Sequence, residues 1–198
     1  MNYLAHAYLS FNHPEILIGN MSADFIKGKT QFSYSILIQK GIQLHRAIDA
    51  FTDEHPVTRQ LKYYFQHTYR LYSGAFADIV YDHFLANDKT IFKSDQELLF
   101  FTQHVYGILQ QNATQLPSPF QNILPYMVNQ NWLYNYQFKE GIRKSFGGLV
   151  RKAAYLNESD IAFTLFNNHY EQIEKLYLEF FIQLQSYASH KFKELINV

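Results

Sequence analysis

Apolar residues recur along most of this chain at spacings of three and four. From Ile173 they fall at Leu176, Tyr177, Phe180, Phe181, Leu184, Tyr187 and Ala188, the stripe of an amphipathic helix. Similar stripes run Leu98, Phe101, Val105, Ile108, Leu109 and Leu61, Tyr64, Phe65, Thr68, Tyr72. Two more run Leu37, Gly41, Leu44, Ile48, Phe51 and Phe76, Ile79, Val80, His83, Phe84. No pair of alternating segments joined by a hairpin turn interrupts this pattern. Pro14 follows a first short helical segment. Pro56 ends the helix carrying His45, because a residue before proline is pushed out of helical geometry. Asn112 to Pro125, with Pro117 and Pro119, reads as an irregular connection, and Gly147-Gly148 as a weaker break or tight packing point. None of these connections has the length or composition of a domain linker. The expected fold is all-α: a single-domain helical bundle of seven to nine helices over residues 1–198.

Composition narrows the chemistry. A chain of 198 residues buries roughly 70% of its unfolded surface and needs no disulfide or structural metal to fold. It contains no cysteine, which excludes thiolate zinc sites and cysteine nucleophiles and fits a reducing cytoplasm. Lys+Arg and Asp+Glu both total 17, so the whole-chain basic footprint of a nucleic-acid binder is missing. Met1 to Phe11 lacks the basic and apolar regions of a signal peptide. No apolar run is long enough to span a membrane. The 18 Phe and 16 Tyr imply a bulky core with hydroxyls reaching its edge.

Two segments combine acids and imidazoles within helix-forming sequence. In the first, His45 and Asp49 are one turn apart beside the Leu44/Ile48 stripe, with Asp53 a turn further on. In the second, Asp78 and Asp82 flank a stripe that includes His83. Burying carboxylates is costly unless they are paired or metal-bound, and a divalent cation would satisfy several at once. His6, four residues after Asn2, and Asp24, four after Asn20, add to the set. Each residue also has a plainer account. Asp53 and Asp24 can cap turns, and Asp78 can sit near a helix N-terminus. Arg46 with Asp49 can be a surface pair worth about 0.2–0.5 kcal/mol. His6 and His83 can be satisfied core histidines. His13, His55, His67, His104, His169 and His190 have no comparable acidic partner.

In order, the segments Met1-Asn2-Tyr3-Leu4-Ala5-His6, Gly19-Asn20-Met21-Ser22-Ala23-Asp24-Phe25-Ile26-Lys27-Gly28, Gly41-Ile42-Gln43-Leu44-His45-Arg46-Ala47-Ile48-Asp49, Thr52-Asp53 and Asp78-Ile79-Val80-Tyr81-Asp82-His83-Phe84-Leu85 resemble the acyl carrier protein phosphodiesterase family. Weaker agreement continues through Leu116-Pro117 and Trp132-Leu133 to Tyr136. The resemblance implies a helical fold distantly related to HD-domain metallohydrolases. It also implies a divalent metal of the manganese type, with Mg²⁺ or Fe²⁺ as alternatives. The implied reaction hydrolyses the phosphodiester joining 4′-phosphopantetheine to a serine of acyl carrier protein. By position it carries over His6, Asp24, His45, Asp49, Asp82 and His83. The chain departs from HD enzymes in having no His-Asp dipeptide; Asp82-His83 reverses it.

On this reading Asp24, His45, Asp82 and His83 are the expected metal ligands. Asp49 is a further ligand or orients His45, and Arg46 stabilises phosphate charge. His6, Asn20, Asp53 and Asp78 support the ligands or contact substrate. Carboxylate and imidazole donors suit Mn²⁺, Fe²⁺ or Mg²⁺, and such an ion activates water and neutralises phosphoryl oxygens. The resemblance makes acyl carrier protein, an acidic protein, the partner. Lys139, Arg143, Lys144, Arg151 and Lys152 cluster with only Glu140 opposing them and are the expected docking surface, although a solvated helix face has the same pattern. Two other readings stay open. One is an HD-like phosphohydrolase acting on a nucleotide or other small phosphodiester; the other is a non-catalytic helical binding module.

Overall fold

The computed structural model describes residues 1–197, and among them there are helices and no strands. The stripes read from the sequence fold as α3 (Ile36–Glu54), α4 (Pro56–Tyr69), α5 (Ser73–Asn87), α6 (Asp95–Gln111) and α11 (Tyr170–Ile196). Between and around them lie α1 (Tyr3–Tyr8), α2 (Pro14–Ser22), α7 (Ser118–Asn129), α8 (Trp132–Asn135), α9 (Lys139–Lys152) and α10 (Asp160–Asn168). The all-α expectation holds, with eleven helices in the described residues rather than seven to nine. The unexpected helices include α8, too short for a periodic stripe, and α7, which begins inside the segment read as irregular. Asn112 to Pro125 is therefore not wholly irregular. Pro125 sits inside α7, and it and Gln121, whose carbonyl it leaves without a helical donor, are both exposed residues. Gly147-Gly148 does not interrupt α9.

Helix ends follow local chemistry. The Ser35 hydroxyl accepts from the Ile38 amide at 3.3 Å to start α3. The imidazole of His55 accepts from Val57 at 3.3 Å, and Pro56 opens α4, where its missing N–H costs nothing.

Helix α5 forms the centre. From Phe76 to Ala86 only Asp78 is not fully buried, as expected of a helix apolar on every side. Helices α1, α4, α9 and α11 pack around it. Helix α2 crosses α3 at Gly19 and Gly41. A Cβ on Gly19 would collide with the Ile38 carbonyl oxygen, and one on Gly41 with that of Ile16. The two glycines let the backbones touch, which sets Asn20 beside His45, one turn beyond Gly41.

Candidate metal centre

Four elements deliver the site: α1 brings His6, α2 Asn20, α3 His45 and Asp49, and the 3₁₀ turn Ala23–Phe25 brings Asp24. Asn20 sets both imidazoles. Its side-chain amide donates to the His6 carbonyl at 2.9 Å and to the Ser10 hydroxyl at 3.0 Å. Its side-chain oxygen is thereby turned to accept from His6 Nδ1 at 2.7 Å. Its backbone carbonyl accepts from His45 Nδ1 at 2.8 Å. Carbonyl oxygens only accept, so in the neutral imidazoles both Nδ1 atoms carry the proton and both Nε2 lone pairs are left to act.

Those lone pairs converge. The rings stack with centroids 4.0 Å apart. Asp49 lies beneath, 3.2 Å from His6 Nε2 and 3.0 Å from His45 Nε2. Asp24 approaches His45 Nε2 at 3.2 Å. One ligand atom from each of His6, His45 and Asp49 falls within 4.8 Å of the others. His6 Nε2 is buried and has no aligned hydrogen-bond partner, although buried polar atoms are nearly always satisfied. An orphaned imidazole nitrogen facing carboxylate oxygens suits a divalent cation with nitrogen and oxygen ligands.

The electrostatics fit the same account. Burial and neighbouring His45 pull His6 down to about 4, against the pull of Asp49. Burial also opposes charge on His45, but Asp24 and Asp49 outweigh it and hold His45 at about 9. The hydrogen bond from His45 keeps Asp24 below the usual carboxylate range. Asp49 is lowered too, because His45, His6 and the Met1 α-amino group overcome its burial. The cluster demands positive charge, which a proton supplies without an ion and a divalent cation would supply with one. The Met1 α-amino group, fully buried, pairs with Asp49 and Asp78, each at 3.1 Å. Burial opposes its charge, but Asp78 and Asp49 raise it to about 11. Motif spacing gave no signal for this backbone group.

The structure thus brings together His6, Asn20, Asp24, His45 and Asp49, with Asp78 joined through Met1. Asp82 and His83, expected as ligands, lie outside this convergence. Asp82 accepts from the Leu4 and Ala5 amides at 2.7 and 3.1 Å, satisfying the orphan donors at the start of α1. His83 Nδ1 donates to the Tyr136 carbonyl at 2.7 Å, leaving Nε2 to accept from the Tyr170 hydroxyl at 2.9 Å. Both nitrogens are spent. Asp53 pairs with Lys62 at 2.7 Å. Arg46 is exposed and donates to Gln31 at 2.8 Å.

The expected docking cations divide. Lys139 lies 4.4 Å over the Tyr170 ring, and Arg143 pairs with Asp160 at 3.1 Å. Lys144, Arg151 and Lys152 instead line a cleft of about 870 Å³ whose wall includes Asp24 and Asp78. Among the described residues these three cations form no ion pair.

The sequence profile described as acyl carrier protein phosphodiesterase matches residues 1–184. A protein of that name from Yersinia pestis is 31% identical over 96% of this chain and 99% of its own length. Those from Pectobacterium atrosepticum and Photorhabdus laumondii are 31% and 29% identical. They cover 95% and 96% of this chain and 97% and 96% of their own lengths. No solved structure matches. With the profile spanning nearly the whole chain and these relatives matching end to end, the chain belongs to the acyl carrier protein phosphodiesterase family.

Proposed function

We propose that this enzyme, a phosphoric diester hydrolase, removes 4′-phosphopantetheine from holo acyl carrier protein with the help of a divalent metal. The observation that carries the metal is the buried His6 Nε2, 3.2 Å from Asp49 without an aligned hydrogen bond and converging there with His45. The family supplies the substrate. His6, His45 and Asp49 would hold the ion, with Asp24 beside them. Bound there, it would activate water and neutralise phosphoryl oxygens. Nitrogen and oxygen donors without thiolates favour Mn²⁺, with Mg²⁺ and Fe²⁺ as alternatives. The HD-domain kinship is part of this proposal, supported by a helix-borne His/Asp cluster in place of a contiguous pair.

The protein groups have distinct tasks. Asn20 fixes both imidazoles. Asp24, kept ionised by His45 and largely exposed, takes the proton of the attacking water. The water oxygen bonds to phosphorus, and the bond from phosphorus to the carrier serine oxygen breaks. That oxygen leaves with a proton from solvent, giving apo carrier and free 4′-phosphopantetheine. Arg46, the exposed neighbour of His45, meets a phosphoryl oxygen. An acidic carrier docks on the unpaired cations of α9. No described helix is long and apolar enough to cross a membrane, and the proposed place of work is the cytoplasm, with its carrier substrate.

Holo carrier protein incubated with the enzyme and Mn²⁺, then weighed by mass spectrometry, tests this reading. Loss of the phosphopantetheine mass, abolished by EDTA and restored by Mn²⁺, supports it. An intact carrier, with turnover of a nucleotide phosphodiester instead, moves the protein to the small-substrate hydrolases. No turnover and no bound metal would leave a helical binding module.

A further inference from the structure

The cleft beside the cluster is larger than phosphoryl chemistry requires. It runs from Asp24 and Asp78 along α9, past Ser145, Gly148 and Leu149. A volume of about 870 Å³ suits a drug-sized ligand. Resting on the proposed hydrolase activity, we infer that this cleft seats the pantetheine arm of the substrate, while the carrier protein stays outside on the rim.

The first argument is geometric. A phosphodiester at the cluster extends two arms, one to a serine of a folded protein and one to pantetheine. A folded protein cannot enter the cleft, so the slender arm must be the one that does.

The second argument is chemical. Pantetheine carries two amides, a hydroxyl and geminal methyl groups. Three carboxamide side chains line the cleft, Asn2, Gln130 and Asn135, and each spends one end on the protein while keeping the other. Asn2 and Asn135 use their amide nitrogens, on the Tyr136 hydroxyl at 2.9 Å and the Gln130 carbonyl at 2.7 Å. Their side-chain oxygens remain to accept from the arm. Gln130 does the reverse: its side-chain oxygen accepts from the Trp132 indole at 3.0 Å, and its NH₂ remains to donate. Ile79, Trp132 and Leu149 supply apolar wall for the methyl groups. Gly148 supplies space, since a Cβ there would meet only the tip of Arg151, at 3.7 Å.

The third argument is the separation of charge. Lys144, Arg151 and Lys152 are exposed at the rim, where a carrier too large to enter presents its acids. The carboxamides and apolar groups that suit the neutral arm line the same cleft.

Trp132 is the sole tryptophan, so its emission reports this cleft. The full-length protein is titrated with pantetheine, with 4′-phosphopantetheine and with inorganic phosphate. Saturable shifts with the first two and none with phosphate are expected. Gly148→Leu, which fills the cleft with a better helix former, should erase the pantetheine response. It should also lower kcat/KM on holo carrier at least tenfold while keeping the circular dichroism spectrum. Gln130→Ala, at an exposed position, should weaken pantetheine binding about three- to tenfold for the loss of one hydrogen bond. Unshifted Trp132 emission with both pantetheine compounds overturns the inference. So does wild-type turnover in folded Gly148→Leu. Failures separate cleanly. Holo carrier left intact while pantetheine shifts Trp132 sinks the hydrolase reading and supports the subsite. Turnover without any shift does the opposite.

Discussion

Two regions of this molecule combine buried imidazoles with carboxylates, and they are built to opposite ends. At the cluster, Asn20 occupies the Nδ1 side of His6 and His45, and their Nε2 atoms converge on Asp49 with His6 left orphaned. Some way along the core, His83 has both nitrogens bonded and Asp82 holds two backbone amides. Composition is nearly the same in the two places. What differs is His6 Nε2, which faces Asp49 without an aligned hydrogen bond, whereas both nitrogens of His83 are bonded. A completed set serves the fold; a convergent set with one nitrogen unbonded has a donor to spare for a ligand.

The sharpest way to break this contrast is to remove one histidine from each region. His45→Ala should abolish metal binding and lower turnover by about a thousandfold, the scale of several kcal/mol of lost charge stabilisation. His83→Ala should retain metal at wild-type stoichiometry and lose stability instead, because it empties a packed site among Phe84, Phe166 and Tyr170. Metal content by plasma mass spectrometry beside thermal melts separates the two. The comparison collapses if His83→Ala loses the metal and His45→Ala keeps it.

A subtler break goes through Asn20, which should touch no metal. Asn20→Ala removes the side-chain acceptor of His6 Nδ1 and frees that ring to rotate, while the backbone carbonyl still holds His45. It should weaken metal affinity about 10- to 100-fold, the usual cost of losing a group that orients a ligand. Titration with Mn²⁺ followed by electron paramagnetic resonance measures it. Unchanged affinity would mean that His6 is held by its stacking on His45 and not by the Asn20 side chain.

This contrast also explains how much could be read from sequence. Helix α3 was legible with its site, because His45 and Asp49 flank a clear Leu44/Ile48 stripe at one-turn spacing. Asp82-His83 misled because α5 is buried on nearly every face. On such a helix, facing the core does not distinguish a ligand from a cap or a satisfied histidine. The amides that Asp82 satisfies belong to α1, about eighty residues earlier in sequence, and no spacing rule reaches that far. His6 belonged to the motif set, yet its convergence with His45 depends on the Gly19–Gly41 crossing and on α1 docking against α5. Helix α8 has only four residues, fewer than any periodicity needs, yet it places Trp132 and Asn135 on the cleft.

The pH dependence of stability sharpens the structural side of the comparison. Burial, reinforced by Lys139, pulls His83 down to about 4, against about 6.5 when unfolded. Between those values the native state binds fewer protons at His83 than the unfolded state does, so its contribution is lost as pH falls. From pH 7 to 5.5 this amounts to about 1 kcal/mol. Asp82 acts in the opposite sense. Burial, only partly offset by the two amides and the Met1 amine, raises it to about 7, so acidification relieves its cost. The wild-type curve alone therefore mixes two slopes. The stability difference between wild type and His83→Gln isolates one, and it should shift by about 1 kcal/mol against wild type over that range in urea melts. A pH-independent difference would mean that His83 is not held neutral.

The same rule of completed and uncompleted partners extends to the surface of α9. Arg143 is engaged with Asp160 and the Phe163 ring, and Lys139 with Tyr170. Lys144 has no ion-pair partner among the described residues and faces the cleft. If carrier acids complete it, Lys144→Ala should lower kcat/KM on holo carrier about two- to fivefold at low salt, the modest scale of one exposed pair. That deficit should vanish as salt screens charges beyond roughly 8 Å, because wild type then falls to meet the variant. Arg143→Ala should leave the salt profile unchanged, its charge being already spent inside the fold. Equal losses from the two substitutions would show that carrier docking senses the total charge of α9, and that the division of its cations between the fold and the cleft carries no functional weight.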